Sequence, residues 1–574
     1  MGKLFEVRYV AVASDYDGTL ASQGKVSDAT LATLKRLRLS GRRLVLVTGR
    51  ELDDLLSVFP EISLFDRVVA ENGGLLYTPS TLEQRPLGDA PPKRLVDELR
   101  RRGVDPLSVG RVIVASWEPH QDTVLEAIHE LGLEHQVIFN KGAVMVLPPG
   151  INKATGLSAA LAELGLSAHN TVGIGDAEND NAFLASCEAS VAVANALAGI
   201  QERADLVTGG RAGKGVAEVA EALLADDLAS LEPELARHHI VLGTLADGSE
   251  ITVAPYRVNA IVAGPSSSGK STMVRGLLER LGDAGYQFCL IDPEGDYEGF
   301  DAGAGLGDEG RVPTVEEVLG LLGEPSTSTI VNLLGLALED RPGFYETLLP
   351  RLAELRARTG RPHWIVVDEA HHLLPPGRDT AGLAGPGDGG GLVLVTVHPA
   401  RVAPAALSYL NTAIVVGESA DATLGELADA LGWPRPELGP VQLTAGQAVA
   451  WCEDQAPVRF EMAATRSDSR RHRRKYAQGN LGQDRWFTFR GPADRLNLSA
   501  HNLLQFMELG EGVDDDTWVH HLHQGEYSSW FARCIKDRGL AEHAARVEED
   551  HGLSPAESRS SIRTAIEERY TGPA

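Results

Sequence analysis

The chain has 574 residues, 43% hydrophobic and 23% charged, with 53 Lys+Arg against 80 Asp+Glu and a net charge of −27. At about 150 residues per domain this length predicts roughly three to four domains, and the composition excludes disorder over most of the chain. A balance of −27 disfavours a nucleic-acid coat or an anionic-membrane binder, since both need excess cation. It leaves open a small anionic substrate held by local Lys, backbone N–H groups or a metal.

Four isolated cysteines (Cys187, Cys289, Cys452, Cys534) form no CxxC pair. Zinc ribbons are therefore not expected, and a reduced compartment fits best. The N-terminus MGKLFEVRYVAVASD lacks a signal-peptide apolar region, and Glu6 breaks the myristoylation pattern. No run approaches the ~20 apolar residues of a membrane span. The expected location is cytoplasmic.

Short apolar runs alternate with helical periodicity to about residue 465, the pattern of parallel α/β folds. Strands are expected at 7–13, 44–47, 67–70, 171–175, 259–263, 287–291, 329–334, 364–367, 392–396 and 413–416. The Gly/Pro-rich stretch 375–391 is expected to be a mobile loop, and no internal repeat is visible. After 465 the character changes, with RRHRRK at 470–475 followed by a mostly helical, Trp- and His-containing segment.

The first strand runs into Ser14-Asp15-Tyr16-Asp17-Gly18-Thr19. Carboxylates at i and i+2 share one side of an extended strand end, and the following glycine turn leaves both at the carboxyl edge of the sheet. The second strand ends in Thr48-Gly49-Arg50, Lys153 opens a helix, and TVGIG ends in Asp176-Ala177-Glu178-Asn179-Asp180. In this order and spacing, over residues 8–225, the residues resemble the four motifs of the haloacid dehalogenase (HAD) phosphatase superfamily. GDAENDNAF and the long 78–148 insertion are similar to its Cof-type branch, with an α/β cap between the second and third motifs. The resemblance implies sugar-phosphate or phosphoglycolate chemistry. Asp15 is then the nucleophile and Asp17 the general acid and base, while Thr48 and Lys153 hold the phosphoryl oxygens. Mg2+ would be held by Asp15, the Asp17 carbonyl and Asp176, with Asp180 in support. In the cap, Trp117, Glu118, His120 and Asn140 could select substrate, with a structural role weighed against each.

A second motif, Gly264-Pro265-Ser266-Ser267-Ser268-Gly269-Lys270-Ser271-Thr272, lies between strand and helix patterns, the context of a P-loop. Its glycines allow backbone N–H groups to face phosphates, with Lys270 on the β/γ-phosphates and Ser271 on Mg2+. Strand WIVV delivers Asp368 to the Mg2+ shell and Glu369 to polarise water, which favours ATP hydrolysis over phosphate transfer. Thr396 and His398 end LVLVT, where a γ-phosphate sensor could sit. With Asp292-Pro293-Glu294-Gly295-Asp296-Tyr297, residues 240–465 resemble the HerA/FtsK-like branch of P-loop ATPases. TVHPAR departs from the expected Gln-containing sensor run, and no arginine finger is assigned beyond the guesses Arg401 and Arg435. Residues 251–465 hold 14 Lys+Arg and 28 Asp+Glu, a net of −14, which suits a DNA channel poorly.

The expected architecture is α/β multidomain: a Rossmann-like HAD core (1–77, 149–225), its cap (78–148), a linker (226–239), a P-loop α/β ATPase domain (240–465), a basic linker (466–480) and a helical C-terminal domain (481–574). The run at 470–475 reads as a solvated linker, with nucleic acid or nucleotide phosphate as its other reading. His520, His521 and His523 lack metal-binding helical spacing and read as surface or interdomain groups, while Trp486, Trp518 and Trp530 read as core. The leading function is a Mg2+-dependent phosphomonoesterase fused to an ATPase that regulates or powers it. The alternatives are a DNA-translocating ATPase with accessory phosphatase, a nucleic-acid end phosphatase/kinase, and an ATP-binding scaffold. Oligomerisation would run through the ATPase domain.

Overall fold

The computed structural model describes residues 7–266, 268–377, 390–436, 442–453, 455–466, 481, 485–492, 496–535, 537–550 and 552–570. Contacts divide the chain into two units, one of residues 1–264, 277–295 and 301–463, the other of 265–276, 296–300 and 464–574. In the first unit, Val/Ile/Leu runs without polar alternation become strands buried on both faces. No helix among the described residues is long and apolar enough to cross a membrane.

The first unit begins with β1 (Ala11–Asp15), β2 (Arg43–Val47), β3 (Arg67–Ala70), β4 (Leu75–Thr78) and β5 (Glu83–Pro86). The insert contributes β6 (Ser108–Val109), β7 (Val114–Trp117), β8 (Gln136–Asn140) and β9 (Ala143–Leu147). The chain then returns with β10 (Thr171–Gly175), β11 (Ala189–Ala192) and β12 (Leu206–Val207). The main sheet has the order β12-β11-β10-β1-β2-β3-β4-β5. It is parallel from β12 to β3, and β4 and β5 run antiparallel. Asp15 pairs with Val47, and Ser14 with Ile174, so the ends of β1, β2 and β10 meet at one carboxyl edge.

Two expectations shift here. The strand expected at 7–13 begins at Ala11. The segment from residue 78 is not yet cap, because β5 completes the main sheet; its four residues are all exposed, so no apolar signal marked it as sheet. The insert proper forms a separate antiparallel sheet, order β6-β7-β9-β8. Helices Lys93–Arg101 and Gln121–Glu130 contribute Leu95, Leu99, Val124 and Ile128 to its core with Val144 and Val146. Fully buried Glu71 ties it down, accepting backbone N–H bonds from Arg111, Val112 and Ile113 at 3.0, 2.7 and 3.1 Å.

The segment expected as a linker, 226–239, packs instead. Leu228 and Leu235 enter the first core, and Arg237 donates to the Cys187 carbonyl at 2.7 Å. A second sheet follows, built of β13 (Ile240–Thr244), β14 (Glu250–Val253), β15 (Asn259–Ala263), β16 (Phe288–Asp292), β17 (Ala304–Leu306), β18 (Thr329–Asn332), β19 (Trp364–Val367), β20 (Leu392–Thr396), β21 (Thr412–Val416), β22 (Gln447–Cys452) and β23 (Val458–Met462). Its order is β14-β13-β23-β22-β21-β15-β20-β19-β16-β18-β17, parallel from β21 to β17 and antiparallel beyond.

A buried polar junction joins the two sheets. Glu188 receives Arg8 Nη2 on Oε1 (2.7 Å) and the Tyr286 hydroxyl on Oε2 (2.7 Å), with His169 Nδ1 also 2.7 Å from Oε2. His169 Nε2 meets the Ala284 carbonyl at 2.6 Å, and Arg361 Nη2 donates to the Gly165 carbonyl at 2.7 Å.

In the second unit, β24 (Phe487–Phe489) and β25 (Leu498–Ala500) add an antiparallel pair to the segment expected to be helical. Helices Leu503–Gly512, Asp515–His523, Arg538–Glu549 and Pro555–Tyr570 surround Phe487, Phe506, Trp518, Tyr527 and Trp530. Trp486 stacks on His501. His521 is not a surface group: it is buried, paired with Glu526, and accepts the Arg490 N–H at 3.0 Å. The basic run at 470–475 and most of the expected loop at 375–391 lie outside the described residues.

Candidate active site at the carboxyl edge of the first sheet

The end of β1 delivers Asp15, 4% exposed, and Gly18 then turns the chain with φ +91°. Only glycine fits there, for a Cβ would stand 2.4 Å from Asp176 Oδ2. Helix Lys153–Leu164 starts at Asn152, whose Oδ1 accepts the Ala154 and Thr155 N–H bonds. This cap fixes the first helical residue, and Lys153 Nζ reaches Asp15 Oδ1 and Asp180 Oδ1, each at 2.6 Å. After β10, Asp176 accepts the Thr19 hydroxyl at 3.0 Å. Asp180 Oδ2 accepts the Asp176 and Ala177 N–H bonds at 2.8 and 2.9 Å, so this residue braces the loop.

The electrostatics follow from this crowding. Burial and the neighbouring Asp180 push the Asp15 carboxyl up to about 7 despite Lys153. Burial also raises Asp176. For Lys153, burial opposes the charge, but Asp15 and Asp180 outweigh it and hold the ammonium above its ordinary value. Thr48, 1% exposed, accepts the Arg50 N–H at 3.2 Å. Asp17 is clamped by Arg50, Nε to Oδ2 at 2.6 Å and Nη2 to Oδ1 at 2.8 Å.

A haloacid dehalogenase-like hydrolase family model matches residues 12–111 and 108–219. The phosphoglycolate phosphatase of Methanothermobacter thermautotrophicus is 31% identical over 217 residues, covering 36% of this chain and 96% of that protein. The phosphoglycolate phosphatase of Haloarcula marismortui is 32% identical over 212 residues, covering 36% and 92%. This chain belongs to the haloacid dehalogenase-like hydrolases. A solved hydrolase of this family from Bacteroides thetaiotaomicron is 22% identical, covers 38% of this chain and 99% of its own, and has a TM-score of 0.33. The family match ends at residue 219, before the second sheet begins.

The hydrolase edge fits a hard divalent cation. Ligand oxygens of Asp15, Asp176 and Asp180 lie within 4.8 Å of one another, all on buried residues. A cation already stands in place: Lys141 Nζ donates to Asp176 Oδ2 at 2.8 Å and to the Asp17 carbonyl at 3.2 Å. A second ligand-like group, His169, Glu188 and His238, belongs to the polar junction, where Arg8 and Tyr286 already engage Glu188.

Of the cap candidates, His120 Nε2 lies 3.0 Å from the Asp105 carbonyl. Glu118 opens the turn after β7, its N–H bonded to the Gly142 carbonyl at 2.9 Å. Trp117, 53% exposed, and Asn140 flank the β8–β9 turn. The residue at that turn which touches the site is Lys141, missed from sequence. A Lys-Gly pair between two strand patterns was its only signal. Arg50 and Thr19 were visible in the motifs, but their partners were not.

In the second sheet, Asp368 follows β19, 4% exposed, and burial, Asp292 and Glu369 push its carboxyl up to about 8. Glu369 adopts φ +41°, and its carboxylate lies 3.4 Å from His371 Nδ1. Thr396 is engaged by His371 Nδ1 and by the His398 N–H, at 3.1 and 3.0 Å. Arg435 is paired with Asp429. Arg401 ends the short helix Pro399–Arg401. Helix Lys270–Asp283 opens directly on Lys270, whose Nζ donates to the Pro265 carbonyl at 2.9 Å. Gly269 has φ +104°, and Ser268, Ser271 and Thr272 stand beside it in sequence.

Proposed function

We propose that the N-terminal part is a Mg2+-dependent phosphomonoesterase acting through an aspartyl-phosphate. The observation that carries this reading is Asp15, at the end of β1, sharing Lys153 with Asp180 at 2.6 Å beside Asp176. Asp15, the Asp17 carbonyl and Asp176 would hold Mg2+, with Asp180 bracing them. The ion, when bound, supplies positive charge to the phosphoryl oxygens. An Asp15 oxygen bonds to phosphorus as the ester oxygen leaves, and Asp17 gives that oxygen its proton. Asp17 then takes a proton from the water that attacks phosphorus, freeing Asp15 and releasing phosphate. Lys153 and Thr48 hold the phosphoryl oxygens throughout. The curated relatives are phosphoglycolate phosphatases, which supports a small phosphorylated metabolite of the phosphoglycolate or sugar-phosphate class. A panel of such esters, assayed with Mg2+, tests it; no turnover of any member would refute it.

We further propose that residues 240–465 bind and hydrolyse ATP. The support is the Gly264–Thr272 loop after β15, the parallel strands around β15, and the carboxylate Asp368 after β19. In this reading Gly264, Ser268, Gly269, Lys270 and Thr272 cradle the phosphates, Ser271 and Asp368 serve Mg2+, and Glu369 polarises water. Lys270→Ala should then abolish ATP hydrolysis, and unchanged ATPase activity would exclude the role. The net charge of −14 over 251–465 sets DNA translocation second.

A further inference from the structure

Three cations touch the carboxylates and carbonyl of the catalytic edge among the described residues, and they differ in freedom. Lys153 is 1% exposed and divided between Asp15 and Asp180. Arg50 is clamped by Asp17 and held further by Asp54 at 2.5 Å. Lys141 comes from the cap instead, with a side chain 45% exposed. It sits at the β8–β9 turn with φ +50°, followed by Gly142 at +86°. A two-residue hairpin turn of this hand favours Asn-Gly or Gly-Gly. A lysine here accepts backbone strain at a position where its side chain meets the site.

Its present partners are the oxygens that the proposed Mg2+ site would use, Asp176 Oδ2 and the Asp17 carbonyl. Two cations cannot share them without strong repulsion, so an ammonium there must leave when a divalent ion arrives. Its flexible four-carbon stem keeps it within reach of the phosphoryl site and of whatever the phosphate is attached to. A phosphorylated hydroxy acid places a carboxylate one carbon beyond the ester oxygen, while a simple alkyl phosphate places nothing charged there. Lys153 and Arg50 are committed to other partners, which leaves Lys141 to meet that second anion.

We propose that Lys141 is a specificity residue: it leaves Asp176 when the divalent cation binds and pairs with the carboxylate of a phosphorylated hydroxy acid, favouring such substrates over uncharged phosphate esters. This rests on the phosphatase reading above.

The test uses the full chain and its Lys141→Met and Lys141→Arg variants. Steady-state kcat/KM is measured with Mg2+ for 2-phosphoglycolate and for ethyl phosphate, which lacks the carboxylate. Lys141→Met should lower the ratio of the two values by about 10- to 100-fold, chiefly through KM for 2-phosphoglycolate, and Lys141→Arg should recover most of it. Calorimetric Mg2+ titration without substrate should show tighter binding to Lys141→Met than to the parent, because the competing ammonium is gone. An unchanged ratio, or an equal loss on both esters, would overturn the proposal. So would unchanged Mg2+ affinity. If the parent hydrolyses neither ester, nor any other on the panel, the phosphatase reading itself fails, and this proposal with it.

Discussion

Glu188 and Asp15 are both buried carboxylates at the first sheet, and they titrate in opposite directions. Burial alone would raise both. At Glu188 the His169 ring and the Arg8 guanidinium outweigh burial and hold the carboxyl down at about 2. At Asp15 one ammonium is shared with Asp180, and the carboxyl rises to about 7. The difference is a matter of donors: the junction surrounds one carboxylate with Arg8, His169 and Tyr286, while at the sheet edge two carboxylates divide one ammonium. Buried acid of the first kind holds sheets together, and the second kind is poised for chemistry.

This contrast can be broken from either side. The largest effect is expected at the carboxyl edge of the first sheet, where Lys153→Ala removes the ammonium bonded to Asp15. Steady-state assay should show kcat/KM reduced by about 10²–10³-fold. Parent-like kcat/KM would show that the lysine is structural. At the junction, Glu188→Gln removes the buried negative charge that faces Arg8 and His169 and should cost about 3–5 kcal/mol of stability. Urea unfolding measures this, and a cost well under 1 kcal/mol would deny that the carboxylate closes the network. The smallest effect sharpens the difference in titration. Below about pH 7 a proton occupies Asp15 and competes with metal, so half-saturating Mg2+ should rise about tenfold between pH 8 and pH 6. Flat Mg2+ dependence across that range would mean that Asp15 is already ionised without metal. Glu188 stays charged throughout and contributes nothing to this change.

Much of this arrangement could be read from the chain because strand ends carry their chemistry next to an apolar signal. VAVASDYDGT and LVLVTGR place Asp15, Asp17 and Thr48 beside runs that become β1 and β2. In the second sheet, apolar runs likewise gave β15, β19 and β20 their observed bounds. What failed to show lacks such a signal. β5 is exposed on every residue, so its place in the main sheet depends on pairing with β4. The junction joins Arg8, His169, Glu188 and Tyr286 across distances in sequence that no local pattern spans. Lys141 stands 124 positions from Asp17, and only the folded cap brings the two together.

The most direct measurement is phosphomonoester hydrolysis with Mg2+ by the parent and by Asp15→Asn at equal folded concentration. An amide matches the carboxylate in shape but is a poor nucleophile toward phosphorus. Activity should fall by at least about 10³-fold while the circular dichroism spectrum stays unchanged. Turnover at the parent rate in Asp15→Asn would contradict the assignment of the nucleophile, and with it the reading of this edge as a phosphatase site.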